Sequence, residues 1–376
     1  MMLGYCSNVH PGSSLDQILQ GLERHAVGVH ERLGGDAPLP LGLWLGADAL
    51  DDAGRFGVQR LRDWLGERSL RVFAMNGFPF GDFHQEVVKH DVYRPDWTDD
   101  ARTHYTLELA ELLAGLLDAG ESGSVSTVPL GWGAALDEHD VTVCAERLRA
   151  LCAGLEELED RTGRCIHVDL EPEPGCAIER LDGLASFFER HLLGGSDEAR
   201  VRRHLRACID CCHAAVMYED FARGLEALDA RSIGIGRVQV SNALEVDMHR
   251  DPEAGRAALE AFRDPRWLHQ VMVRDGDGDR FHEDLEAALA AERGGRWRIH
   301  FHVPVHLETL GPLGTTQSQL VEALELLRTR DEPLVWEVET YAWSALPDSI
   351  RPDCLADGIA AEVQWTRARL ADEETP

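Results

Sequence analysis

Nine short apolar runs, separated by longer amphipathic stretches, limit the folds open to this chain more than any other feature. The runs are LGYCSNVH (3–10), LGLWLGA (41–47), LRVFAMNGF (70–78), GSVSTVPLG (123–131), CIHVDLEP (165–172), LRACIDCCH (205–213), IGRVQVSN (235–242), RIHFHVPVH (298–306) and PLVWEVETY (333–341). Between them lie stretches such as SLDQILQGLERHAVGVHERL, with apolar residues at i, i+3, i+4 and i+7, the period of a helix with one buried face. Ser14 stands where a cap belongs. THYTLELAELLAGLLDAG, the segment from CAERLRA onward and SQLVEALELLRTRD repeat the pattern. Strands that alternate with helices form βαβ units and a parallel sheet. Eight units close into a (β/α)₈ TIM barrel of typically ~250 residues, more with insertions. An open doubly wound sheet is the alternative, but it carries a glycine-rich phosphate turn after an early strand. Here the first strand runs into SNVHPGSS, which has no G-x-G-x-x-G. Nine runs for eight places leave one over. Either VQVSN, HFHVP or an earlier segment lies outside the barrel, or the ninth caps it. The expectation is one barrel domain over 1–376 with an extra strand and a C-terminal helix, ending in a frayed tail, LADEETP (370–376).

Composition narrows the function. The chain has 376 residues, 44% of them hydrophobic and 28% charged, as globular proteins do. It has no run of ~20 apolar residues and so no helical membrane insertion. MMLGYCSNVHPG has neither the charged nor the apolar region of a signal peptide. Nine scattered cysteines, an odd number, read as reduced thiols. Both observations suggest a cytoplasmic protein. CIDCCH (208–213) crowds three thiols and a histidine, but no second ligand pair at zinc spacing accompanies it. The formal net charge of -30 excludes a nucleic-acid partner, which needs a basic footprint. Lys89 is the single lysine; the other 36 of the 37 basic residues are arginine.

The strand ends carry the chemistry. In a (β/α)₈ barrel the active site lies at the C-terminal ends of the strands. CIHVDLEP ends in Glu171, LRACID in Asp210 with His213 three residues on, and VQVSN carries Gln239. HFHVPVH carries His300, His302 and His306, and VWEVETY carries Glu337 and Glu339. Side chains alternate across a strand, so His167, Asp169, Glu171 and Glu173 share a face, as do Glu337 and Glu339. Pro172 and Pro174 break the first of these runs, which favours Glu171 as the inward residue. Carboxylates, imidazole and amide converging on one point call for a cation: one divalent ion, Mn²⁺, Zn²⁺, Co²⁺ or Mg²⁺. Such an ion polarises a carbonyl while paired glutamates move a proton, the chemistry of sugar isomerisation or epimerisation. Gln239 reads equally as a hydrogen-bonded core residue. Trp132 and Trp343 read either as platforms for a sugar face or as packing.

LEPEPGC, IDCCHAAV, VQVSNAL, HFHVPVH and WEVETYAW, together with NGFPFGDFH and VYRPDW, resemble the EboE-type metabolite traffic proteins, roughly from Gly4 to Pro347. That family is a branch of the xylose-isomerase-like TIM barrels, which include sugar isomerases, epimerases and endonuclease-IV-like enzymes. The resemblance implies one divalent metal held by Glu171, Asp210, either Gln239 or His302, and Glu337. It makes Glu171 and Glu337 the acid–base pair and His213 a substrate contact; from the residues themselves, His300 and Trp132 are further expected substrate contacts. HFHVPVH resembles the epimerase H-x-H strand and supports His302; VQVSN resembles the hydroxypyruvate-isomerase strand and supports Gln239. The gene clusters of the family imply a sugar or cyclitol-like substrate and partner proteins of one biosynthetic pathway. A non-catalytic protein that binds or hands over such a metabolite is the second reading, and metal-dependent phosphoester cleavage a third.

Overall fold

Seven of the nine apolar runs become neighbouring parallel strands in chain order, and the ninth closes the ring. The structure, a computed structural model, describes residues 2–348 and 351–371. The first seven strands are β1 (Met2–Cys6), β2 (Leu39–Trp44), β3 (Leu70–Asn76), β4 (Ser122–Thr127), β5 (Cys165–Leu170), β6 (Leu205–Asp210) and β7 (Ile235–Val240). The chain then leaves the barrel. It builds β8 (Leu244–Asp247), β9 (Val271–Asp275), β10 (Gly278–His282), β11 (Arg296–Ile299), β12 (Thr309–Leu310) and β13 (Leu313–Thr315) before β14 (Val335–Val338) completes the cylinder. Closure is explicit: β1 pairs with β2 on one side and with β14 on the other. An open doubly wound sheet is thereby ruled out.

The surplus run is HFHVP. It follows β11, which lies in a second, antiparallel sheet of order β10-β9-β11-β8-β13-β12. The expected extra strand is thus one of six, and HFHVPVH is not a barrel strand. The apolar content of β11 packs against β8 and β9 rather than against barrel neighbours.

Local chemistry accounts for the helices. Ser14 caps as expected, its hydroxyl accepting from the Gln17 amide. The helical run that follows is Leu15–Gly21, a π-turn at Leu22–Ala26 and Val27–Leu33. Asp137 and Asp140 form a reciprocal capping box on Glu138–Thr162, and Gly163, with φ 69°, ends it in the left-handed conformation. The C-terminal helix Leu355–Leu370 lies against Val27–Leu33 and β1. Its buried Glu362 accepts from Thr340 Oγ1 (2.6 Å), Trp343 Nε1 (3.0 Å) and the Val305 amide (3.1 Å). One carboxylate thus ties the helix to both the segment between β11 and β12 and the segment after β14. Leu370 is buried at the helix end and Ala371 is exposed; the remainder of the expected tail, 372–376, lies outside the described residues.

The barrel interior is layered, as in other such barrels, but its lower layer is charged. Arg237 of β7 is fully buried. It donates to Glu337 Oε2 (2.7 Å), Ser124 Oγ (3.0 Å), the Met75 carbonyl (2.7 Å) and the Ser124 carbonyl (3.0 Å). Asp169 lies beside it, paired with His167 Nδ1 at 2.7 Å. Two glycines make room for these acids. A Cβ at Gly42 would stand 1.4 Å from Glu337 Oε1, and one at Gly236 2.1 Å from Asp169 Oδ1.

Candidate active site

One pleat above the Arg237 layer, at the C-terminal ends of the strands, three more carboxylates meet. Glu171, Asp210 and Glu339 are 4%, 3% and 4% exposed, and one oxygen from each lies within 4.8 Å of the others. The Glu171 amide still bonds the Thr127 carbonyl (3.1 Å), and the Glu339 amide the Val240 carbonyl (3.1 Å), so both residues extend the ladder of their strand and point inward. Asp210 ends β6 and begins the helix Cys211–Val216; its Oδ1 accepts from the His213 amide (2.8 Å) and Ser241 Oγ (2.8 Å). Its Oδ2 has no hydrogen-bond partner among the described residues. Glu339 Oε1 accepts from Asn8 Nδ2 (2.7 Å) and Asn76 Nδ2 (3.0 Å).

The third carboxylate at the mouth is therefore Glu339, and the placement expected for Glu337 is corrected. The two share a face, but a strand rises ~3.3 Å per residue, which sets them one layer apart. Glu337 is bound to Arg237 below, whereas the basic groups at ion-pair distance from Glu171 and Asp210 are imidazoles. Gln239 is fully buried, in register with Asp210 on one side and Glu337 on the other, and its Oε1 accepts from Cys208 Sγ (3.1 Å). Of the rival fourth donors, His302 lines the cavity and Gln239 does not.

His213, His300 and His302 crowd beside these carboxylates. The two from the second sheet arrive in the extended segment after β11, held by the His300 amide on the Gln270 carbonyl (2.8 Å) and the Val303 amide on the Asn242 carbonyl (2.9 Å). His306 does not line the cavity, and neither does Trp132, which stacks behind Tyr93 with ring centroids 4.9 Å apart. The aromatic wall is Tyr93, Phe78, Phe83, Trp267 and Tyr341, and Trp343 lies outside it. Lys89 stands at the rim, its ammonium 2.5 Å from Asp284 Oδ2.

Glu173, Tyr93, Gln270, Asn8 and Asn76 are site residues that the strand-end argument missed. Pro172 and Pro174 end the ladder, but Glu173 remains on the inward face, accepting from Tyr93 Oη (2.7 Å) and Gln270 Nε2 (3.0 Å). Its parity with Glu171 was the available signal. The other four come from loops and strands whose apolar pattern says nothing of the mouth.

Burial sets the electrostatics. It lifts Glu171 and Glu339 well above the usual carboxylate range, reinforced in Glu171 by Glu339 and Asp210 and in Glu339 by Asp210 and Glu337. It pushes Glu173 up to about 8, against the hydrogen bonds from Tyr93 and Gln270. Burial also holds His213, His300 and His302 below the ordinary imidazole value, with His302 adding to the effect on His213 and its two neighbours to that on His300. Acids disfavoured as anions beside imidazoles disfavoured as cations are what a site built around a bound cation shows when it is considered without one. The orphaned Asp210 Oδ2 and the mixed oxygen and nitrogen donors fit a divalent ion.

No family model matches this chain, and no curated protein sequence does. Among solved structures, it is similar to the D-allulose 3-epimerase of a Methylomonas species, with a TM-score of 0.51 at 12% identity over 98% of each chain. An L-ribulose 3-epimerase gives 0.49 at 14% identity, over 98% of this chain and 93% of that one. The IOLI protein, solved with a bound zinc atom, gives 0.49 at 14% identity over 98% of both. At such identities the likeness is one of fold: this chain is an eight-stranded parallel (β/α)₈ barrel, with a second sheet inserted before its last strand.

Proposed function

We propose that the protein is a divalent-metal-dependent isomerase or epimerase of a small polyhydroxylated substrate, a sugar or cyclitol. The observation that carries the reading is the meeting of Glu171, Asp210 and Glu339 at the barrel mouth, buried and, among the described residues, with no guanidinium at ion-pair distance. These three would hold the ion, which when bound polarises a substrate carbonyl and lowers the cost of removing the neighbouring C–H proton. Glu171 and Glu339 come from well-separated strands, so one can take a proton from one face of a substrate carbon while the other returns it. Asn8 and Asn76 fix the Glu339 carboxylate, and the His213 side chain, anchored on the Pro172 carbonyl (3.0 Å), faces the same space. The aromatic wall offers apolar faces to a sugar ring and limits water. The barrel type shared with a sugar epimerase agrees with this reading, and the motifs of the EboE-type proteins favour a cyclitol-like substrate in a biosynthetic pathway.

The test is exchange. The metal-loaded protein, incubated in D₂O with a panel of ketoses and cyclitol ketones, should place deuterium on the carbon beside the carbonyl of at least one. Glu171→Gln and Glu339→Gln should abolish the incorporation. A metal-loaded protein that binds one of these compounds yet leaves its protons in place would be a metabolite carrier instead.

A further inference from the structure

The end of the barrel away from the mouth carries donor atoms that the site above does not use. His204 closes the helix Glu198–His204, leads into β6 and is fully buried. Its Nδ1 lies 2.8 Å from the Ile166 carbonyl. A carbonyl only accepts, so Nδ1 carries the proton. Burial holds the ring below the ordinary imidazole value. In the neutral ring Nε2 is then a bare lone pair. That nitrogen is buried and has no hydrogen-bond partner among the described residues. It faces two other donors. Cys165, the buried first residue of β5, and Glu159, in the last turn of the helix Glu138–Thr162, each bring one donor atom within 4.8 Å of it and of each other. Glu159 Oε2 stands 3.7 Å from His204 Nε2. These two atoms have no proton to share, since the ring nitrogen is bare and a carboxylate only accepts. Two metal bonds of ~2.0–2.2 Å at the tetrahedral angle set their ligand atoms about 3.3–3.6 Å apart, close to the separation found. The surroundings support such a use. Ile166 fixes the tautomer of His204, and Arg203 holds the Glu159 carboxylate through Nε (2.6 Å) and Nη2. Each carboxylate oxygen keeps a further lone pair for an ion.

We propose that Cys165 Sγ, His204 Nε2 and a Glu159 carboxylate oxygen form a metal site at the N-terminal end of the barrel, taking Zn²⁺ or Co²⁺ rather than Mg²⁺ or Mn²⁺, with water in the fourth place. Thiolate and imidazole select the borderline ions, and oxygen donors the hard ones. Burial pushes the Cys165 thiol up and the Arg203 guanidinium draws it back; a coordinated ion takes the thiol proton off outright. Binding therefore forms one metal–sulfur bond and releases one proton to water. Glu159, with 22% of its side chain exposed, is the donor that reaches solvent and marks the way in. The ion pins the end of one helix to the starts of β5 and β6. Cys165 and Glu171 are six residues apart along one extended strand, about 20 Å at ~3.3 Å per residue. This site is thus separate from the mouth and does not depend on the isomerase reading.

The experiment uses the thiolate as its reporter. The full-length protein, kept reduced and stripped by chelator, is titrated with Co²⁺ while its near-ultraviolet spectrum is followed. Cobalt bound to sulfur absorbs there by charge transfer; cobalt bound to oxygen and nitrogen alone does not. Wild type should develop the band to one equivalent. Cys165→Ser should lose it, with Co²⁺ affinity at this site down by more than the ~10–100-fold that loss of a supporting group costs. His204→Asn should lose it as well. Its amide NH₂ can still donate to the Ile166 carbonyl, and with circular dichroism as the folding check it repeats the test should Cys165→Ser not fold. Glu171→Gln should keep the band, so that loss of an ion at the mouth and loss of this one are read apart. A band that survives Cys165→Ser would place the thiolate elsewhere, at Cys212 beside His300 and His302, and overturn the proposal. A wild type without the band, or a band that survives His204→Asn at unchanged affinity, would overturn it too.

Discussion

Glu337 and Glu339 are two residues apart on one strand, equally buried and of one chemistry, and they differ only in what faces them. Glu337 faces Arg237 at 2.7 Å; Glu339 faces Glu171 and Asp210. The first is a structural ion pair, the second one edge of a site. Replacement by glutamine should separate the two roles. Glu337→Gln removes the carboxylate hydrogen-bonded to the buried Arg237 charge, which costs about 3–5 kcal/mol, read as a lower midpoint in chemical unfolding, with metal affinity near wild type. Glu339→Gln should lower metal affinity at least 100-fold and hardly move the midpoint of the metal-free protein. The opposite pattern would return the ligand role to Glu337. Gln239→Ala should likewise spare the ion, since its amide oxygen is taken by Cys208 Sγ and it does not line the cavity; isothermal titration with Mn²⁺ or Zn²⁺ measures this directly. Parity along a strand was legible in the sequence because it is a local property of the backbone. Depth was not, because it depends on how far each strand slides against its neighbours.

At the scale of elements, the alternation of strand and helix was readable for the same reason: periods of 2 and 3.6 are written locally. The identity of the surplus run was not. RIHFHVPVH has the apolar content of a barrel strand, and only its partners, β8 and β9, take it elsewhere. The second sheet then delivers His300 and His302 to a mouth built by other strands. The C-terminal helix is fastened near this junction by Glu362, whose carboxyl burial pushes up to about 7, against donors from Thr340, Val305 and Trp343. A folded value above the unfolded one means that the native state holds the proton more tightly between about pH 4.5 and 7. The corresponding stability is full below that window and is lost as the pH rises through it. Glu362→Gln cannot titrate. The difference in melting temperature between wild type and variant should therefore drift against wild type from pH 4.5 to 7 and level off above; a constant difference would refute the assignment. Glutamine also turns an amide NH₂ toward one of the three donors, so the variant should start about 1–3 kcal/mol less stable.

For the whole molecule, the proposed ions are part of the folding balance. Carboxylates gathered at the mouth of a chain with net charge -30 repel one another until a cation sits among them. A ligand that binds only the native state at 100 times its Kd stabilises it by about 2.7 kcal/mol. Saturating Mn²⁺ should thus raise the unfolding midpoint over that in chelator, and the gain should disappear in Glu171→Gln and Asp210→Asn. Equal midpoints with and without metal would contradict the site. The rim offers a separate handle. Lys89 lines the cavity with 29% of its side chain exposed, and it is the only side-chain amine in a chain whose other fixed cations are guanidinium groups. An amine-selective acylating reagent will therefore mark one side chain, and that one at the cavity entrance. The rate at which the acyl mass appears on the peptide that carries Lys89, read apart from acylation of the chain's α-amine, becomes a gauge of occupancy that needs no turnover. Any compound that fills the mouth should slow that labelling, so unknown substrates can be found by competition before their reaction is known.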